Sequence, residues 1–267
     1  MTRLPPWLTV LAFAGANLVL AFLVLPILAV VPASFNDSSF IALPPKVYST
    51  RWYTDFFGDP GWRGSLWVSV KAAVLCTLFT LGVGVPAAMG LQRVPARMRS
   101  AITAFFLAPI IVPVIVIAVA IYRTALDVGM NGTLAGMVLS HACLALPFVV
   151  INVGISLNAL DGRWLQAAAG LGASPWTIFR TITLPNILPG VVGGGVFAFI
   201  TSFDEAIISV FMSGYAAKTL PVKIWETIRV EFTPAVAVAA TLMIVLAAVL
   251  FVIGRLIGPG LGEERTR

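Results

Sequence analysis

Six stretches of this chain are apolar over lengths that suffice to cross a bilayer: residues 7–33, 65–91, 101–122, 133–157, 186–212 and 235–257. A helix needs about 20 mostly apolar residues for that, and backbone groups in lipid must pair within their own segment. The predicted fold is therefore all-α, a polytopic membrane protein with six transmembrane helices. Composition agrees, with 59% hydrophobic and 10% charged residues against roughly 45–50% and about 25% in soluble domains. Gly and Pro within the spans (Pro26, Gly82, Gly84, Pro86, Pro109, Pro113, Pro147, Gly193 to Gly195) predict kinks and close helix contacts. The Gly193-Gly194-Gly195 run leaves one face of span five nearly bare, open to tight packing or sliding.

The first span is longer than a signal-peptide core of roughly 7–15 apolar residues and has only Arg3 before it, so it is expected to be retained. Six spans put both termini on one side. That side carries nine basic residues (Arg3, Arg93, Arg97, Arg99, Arg163, Arg180, Arg255, Arg265, Arg267) against seven opposite (Lys46, Arg51, Arg63, Arg123, Lys218, Lys223, Arg229). The short 92–100 loop, with three Arg and no acid, decides the margin and predicts cytoplasmic termini. The division expected along the chain is a first helix with an external interfacial loop over 1–64, a membrane core over 65–257 and a cytoplasmic tail over 258–267. The 34–64 segment, rich in aromatics (Phe35, Phe40, Tyr48, Trp52, Tyr53, Phe56, Phe57, Trp62), reads as interfacial. Around Trp225, the 213–234 loop reads as a short helix, either a docking surface for an external partner or a solvated connector. The +6 formal charge is spread over loops and tails, which supports membrane topology and no nucleic-acid role.

Chemistry-bearing residues are few. Asp204 and Glu205 lie side by side in span five, where a charge near the bilayer centre costs about 2.5–3.5 kcal/mol. They read either as carboxylates that attract a cationic substrate or as structural acids paired across the bundle. Neighbours on a helix diverge by about 100°, so only one can face a given small site. His141 and Cys143 diverge likewise and have no further ligand nearby. His141 reads as a hydrogen-bonding residue within the bundle or a pathway residue, and no metal site is expected. Asn152 and Asn158, toward the inner end of span four, suit interhelical bonds or a wet cavity. Neither Cys76 nor Cys143 suggests a disulfide. The chain carries no phosphate-cradling loop, no nucleophile–base pair and no metal-ligand spacing, so it is not read as an enzyme and holds no cofactor of its own.

One polar-amphipathic stretch interrupts the apolar pattern, LDGRWLQAAAGLGASPWTIFRTITLPNILP, residues 160–189. Asp161 is placed to cap a helix through Arg163–Ala169, Gly170 and Gly172 to break it, and Ser174-Pro175 to start a second helix that ends at Thr183, before Pro185. Two short helices with apolar faces (Trp164, Leu165, Ala168; Trp176, Ile178, Phe179) read as a knob that needs a groove to fill, favoured over a helix pair lying flat at the membrane interface, which would leave the Gly-Ala-Ser turn unexplained.

The segment from Gln166 to Ser174, followed by Ile182-Thr-Leu-Pro185, resembles the EAA loop of permease subunits of binding-protein-dependent ABC importers. Ser34-Phe35-Asn36, Ser140-His141, Leu146 to Val150, Ser202 to Glu205 and Thr219 to Ile224 are similar to the spermidine/putrescine-type branch of that family. The resemblance implies a type I ABC importer transmembrane domain in a bacterial inner membrane. Coupling to the ATPase would run through Gln166, Ala167, Ala168, Gly172, Ala173, Ser174, Ile182, Leu184 and Pro185. Gln166 stands where the family usually has Glu, which exchanges a charge-assisted hydrogen bond for a neutral one. The implied partners are a cytoplasmic ABC ATPase dimer that binds ATP and Mg²⁺, a sister permease forming a heterodimer, and an external solute-binding protein. The implied cargo is a polyamine or a related amine or amino acid derivative, with alternating access as the mechanism. Two other readings compete: an ion-coupled secondary transporter using Asp204 or Glu205, which has no need of an ATPase-docking knob, and a membrane enzyme, for which no catalytic set exists.

Overall fold

The computed structural model describes residues 5–39, 43–214, 217–230 and 233–257. Phe40, Glu231, Arg3, Arg265, Arg267 and the tail 258–267 lie outside them. The described residues form twelve helices: α1 (Pro6–Ala33), α2 (Arg51–Gly58), α3 (Pro60–Leu91), α4 (Ala96–Ile111), α5 (Val114–Asp127), α6 (Leu134–Ala159), α7 (Gly162–Gly170), α8 (Pro175–Ile178), α9 (Leu184–Phe203), α10 (Ile207–Met212), α11 (Leu220–Val230) and α12 (Pro234–Ile257). Five continuous helical runs are long and apolar enough to span a membrane, and the bent pair α4–α5 makes a sixth.

That pair is the third span, expected over 101–122 with kinks at Pro109 and Pro113. The chain turns by 99° between α4 and α5. Pro113 has no N–H to extend the helix and clashes with a helical backbone at the residue before it. Val112 is accordingly extended, with φ −72° and ψ 134°.

Contacts cluster into two compact units, 1–63 with 224–246 and 64–223 with 247–267. In the first, the hydropathic window of α1 buries none of its residues. The aromatics of 34–64 partly form a core of their own. Phe56 is fully buried against Trp62, ring centroids 5.3 Å apart, and the Ser34 hydroxyl meets the Tyr53 hydroxyl at 2.7 Å. The short helix expected around Trp225 is present as α11, where the Arg229 guanidinium lies 4.9 Å from the Trp225 ring centre.

In the second unit α6 and α9 form the main seam. Its core is built of small and branched side chains from three helices: Cys76 and Ala88, then Ala142, Ala145, Val149 and Val153, then Ile187 and Ala198. Lipid tails are as apolar as these side chains, so close backbone approach and dispersion contacts must hold membrane helices together. A methyl group at Gly190 would stand 2.5 Å from the Asn152 carbonyl oxygen, and one at Gly194 would stand 3.0 Å from the Val149 Cα. The bare glycine face is thus the surface on which α6 rests. A second core joins Ala72, Ala118, Ala125, Met137, Ile208 and Met212 from α3, α5, α6 and α10.

Candidate functional site

Two places in the second unit combine polar side chains with irregular backbone. The first is the end of α9 away from the 158–185 loop. The fifth span was expected to run to residue 212, yet α9 stops at Phe203 and α10 restarts at Ile207. Asp204 closes α9, donating its N–H to the Ile200 carbonyl, and its side chain is exposed. Glu205 turns inward, and its Oε1 accepts the Ile208 N–H at 2.8 Å, supplying a partner for one of the orphan donors of α10. The two carboxylates therefore sit in a break between helices rather than on one helix. Glu205 is committed to the backbone, whereas Asp204 forms no ion pair among the described residues.

The break is stitched from behind by His141 of α6, which is almost fully buried. Its Nδ1 lies 2.8 Å from the Ser202 hydroxyl at the end of α9, and its Nε2 lies 3.0 Å from the Ser209 hydroxyl in α10. Ser209 also donates to the Met137 sulfur at 3.6 Å. A neutral imidazole offers one donor and one acceptor. One ring nitrogen therefore donates to its serine hydroxyl and the other accepts from its own, the tautomer setting which is which. Sequence reasoning left Ser209 unmarked, because nothing local to the chain pairs a residue in α10 with one 68 positions earlier. Asn152 lies deeper in the seam, bonded to the Phe148 carbonyl at 2.8 Å, with Gly193 and Gly194 of α9 beside it.

The second place is the loop that joins α6 to α9. The Asp161 carboxylate accepts the Arg163 N–H at 2.9 Å and pairs with the Arg163 guanidinium, starting α7. The helix closes on a paired turn: Gly172 N–H donates to Ala169, and Ala173 N–H donates to Ala168. This arrangement needs a left-handed residue between them, and Gly172 has φ +82°. Gly170 is the last helical residue, so Gly172 alone makes the break. The Ser174 hydroxyl then accepts the Thr177 N–H at 3.2 Å and caps α8.

The second helix of the knob does not end before Pro185. A π-helical turn over Phe179–Thr183 carries it directly into α9, with the Leu184 N–H reaching back five residues to Phe179. Within an ordinary helix the Pro185 ring would strike the carbonyl four residues earlier. The wider turn relieves this, and the Asn186 amide donates to the Ile182 carbonyl at 2.7 Å. The knob is thus continuous with a membrane-spanning helix. Gln166, Ala167, Ser174 and Pro185 are exposed, Ala168, Ala173, Ile182 and Leu184 are half-buried, and Thr183 is buried. Three large apolar side chains stand in the open: Leu171 at 89%, Trp176 at 68% and Trp164 at 47% exposure. At the base of the knob, Gln92, in the turn after α3, donates to Asn158 of α6 at 3.0 Å, so Asn158 ties α6 to that turn.

Residues 80–263 match the family of the binding-protein-dependent transport system inner membrane component. The chain is 34% identical to the spermidine/putrescine transport system permease protein PotC of Haemophilus influenzae, covering 90% of this chain and 93% of that one. It is 30% identical to the putrescine transport system permease protein PotI of Escherichia coli K12, over 91% and 89%. It is 28% identical to the molybdenum transport system permease protein ModB of Mycobacterium bovis, over 95% and 94%. Among solved structures, a bacterial ABC transporter that imports the acidic polysaccharide alginate shares the fold, with a TM-score of 0.71 at 13% identity over 94% of this chain and 96% of that one. The inward-facing MetNI methionine ABC transporter does so with a TM-score of 0.61 at 22% identity, over 73% and 93%.

Proposed function

The chain belongs to the family of binding-protein-dependent transport system inner membrane components, and on that premise we propose that its cargo is a small cationic amine of the polyamine type. It is a multi-pass inner-membrane permease of an ABC importer, a non-catalytic membrane subunit. A binding-protein-dependent importer has no use for an ion-coupling site, which sets the secondary-transporter reading aside.

The observation that carries the cargo class is Asp204. It is an exposed carboxylate at a break between two apolar helices, with no ion pair to neutralise it among the described residues. A negative charge there attracts a cation and repels an oxyanion, the more so for the apolar helices that flank it. The names of the relatives PotC and PotI support the same class, while ModB, whose name gives molybdenum, is matched at lower identity.

In this reading the knob docks in a cleft of a cytoplasmic ATPase dimer, to which ATP and Mg²⁺ belong. A sister permease completes the pathway, and an external binding protein delivers the amine. Both termini face the cytoplasm, supported by the arginines of the 92–100 loop. Closure of the ATPases pulls the knob, and the unbroken helix from Pro175 to Phe203 transmits that pull to the break at Asp204. Asp204→Asn in the assembled transporter tests the cargo site. Uptake of labelled putrescine at low concentration is expected to fall about tenfold, the loss of roughly 1.4 kcal/mol, with the amount of chain in the membrane unchanged. Undiminished uptake would remove Asp204 from the pathway.

A further inference from the structure

We infer that His141 is a positioning residue for the transport pathway, holding the break between α9 and α10 open at a fixed geometry so that Asp204 stays presented outward. The inference rests on the reading of Asp204 as the cation-attracting group.

The break must be held by something. Asp204 to Ala206 fall between the two helices, with Asp204 N–H closing α9 on Ile200 and the Ala206 carbonyl opening α10 to Val210, and helix ends leave further groups in need of partners. Glu205 supports only the α10 side. His141 reaches both sides, because Ser202 precedes the break by two residues and Ser209 follows Glu205 by four, and the two ring nitrogens point in different directions to meet them. The ring is rigid and planar, so the two hydroxyls are fixed relative to each other as well as to α6. The hydrogen-bond chain also has a direction. Whichever nitrogen carries the proton, one hydroxyl accepts from the ring and the other donates to it, and Ser209 also lies within reach of the Met137 sulfur. No aliphatic residue of similar size can make these two contacts.

The contacts cross from α6 to two different helical pieces, which is why removing the ring should act on the break rather than on either helix. Val149 and Val153 of α6 and Ile187 and Ala198 of α9 pack the seam independently of the ring. Loss of the imidazole therefore leaves α6 and α9 paired and α10 packed through Ile208 and Met212, and loosens the break between them so that Asp204 turns away or the gap closes.

A double-mutant cycle in membrane vesicles holding the complete transporter tests this, with uptake of labelled putrescine and spermidine normalised to the chain present. His141→Ala is expected to lower uptake at low amine concentration about as much as Asp204→Asn, and the double variant to be no worse than the weaker single one, because an acid that is not presented cannot be missed. His141→Gln, which keeps one donor and one acceptor, is expected to recover part of the loss. Native uptake by His141→Ala alongside impaired Asp204→Asn would overturn the positioning role, as would losses that multiply in the double variant. Native uptake by Asp204→Asn would instead fail the cargo-site reading and take this inference with it. If His141→Ala does not assemble, Ser202→Ala, which removes one of the two anchors, takes its place in the cycle with the same outcomes.

Discussion

The seam between α6 and α9 and the knob at residues 161–178 satisfy their backbones equally well but end in opposite states. In the seam, glycines, alanines and valines bring two helices into contact, and the side chains at the contact itself are buried. In the knob, Asp161, Gly172 and Ser174 satisfy helix ends with local hydrogen bonds, yet Trp164, Leu171 and Trp176 remain in the open. The seam is complete within the chain. The knob is rigid and incomplete, which is the form a docking element takes when its binding energy is reserved for a partner.

The contrast predicts different failures. The largest effect belongs to the seam: Gly190→Val places branched carbon where only 2.5 Å separates a Cβ from the Asn152 carbonyl oxygen and the Ser156 hydroxyl. Overpacking of this kind costs about 1–3 kcal/mol or more, and thermal denaturation in mild detergent should show a midpoint lower by roughly 5 °C. Trp176→Asp should leave that midpoint untouched, since the side chain is exposed. Binding to the cognate ATPase should weaken about 30-fold, as for loss of an aromatic anchor worth about 2 kcal/mol. Equal melting losses for both variants would erase the distinction between the regions.

Within the knob the effects grade downward. Gly172→Pro cannot reach a φ of +82°, and it deletes the N–H that Ala169 accepts. The turn should be lost while the chain still inserts, so that ATP hydrolysis continues with uptake reduced several-fold, read as the ratio of amine imported to phosphate released. Ser174→Ala should do least. It removes one cap worth about 1 kcal/mol and is expected to lower uptake about two- to fivefold, with no change in membrane level.

Features set by short-range patterns were legible in the sequence. The apolar runs gave the spans, Asp161, Gly172 and Ser174 gave the knob, and Pro113 marked a kink, though its 99° angle could not be read from the sequence. Features that depend on pairs distant in sequence were not legible. The stop at Phe203 lies inside a run long enough to be one span, and it follows from Glu205 capping α10 and from His141 binding Ser202 and Ser209, contacts that span up to 68 positions. The helix running through Pro185 was missed for a related reason. A proline predicts a helix end, and the π-helical turn that accommodates it leaves no composition of its own.

If the knob is half of an interface, purifying the tagged chain from native membranes, in a mild detergent shown to preserve known ABC complexes, should bring its other half along. The account predicts that a nucleotide-binding ATPase and a second six-span permease are recovered with it, and that Trp176→Asp loses the ATPase but keeps the permease. A native chain that purifies alone under those conditions would contradict it.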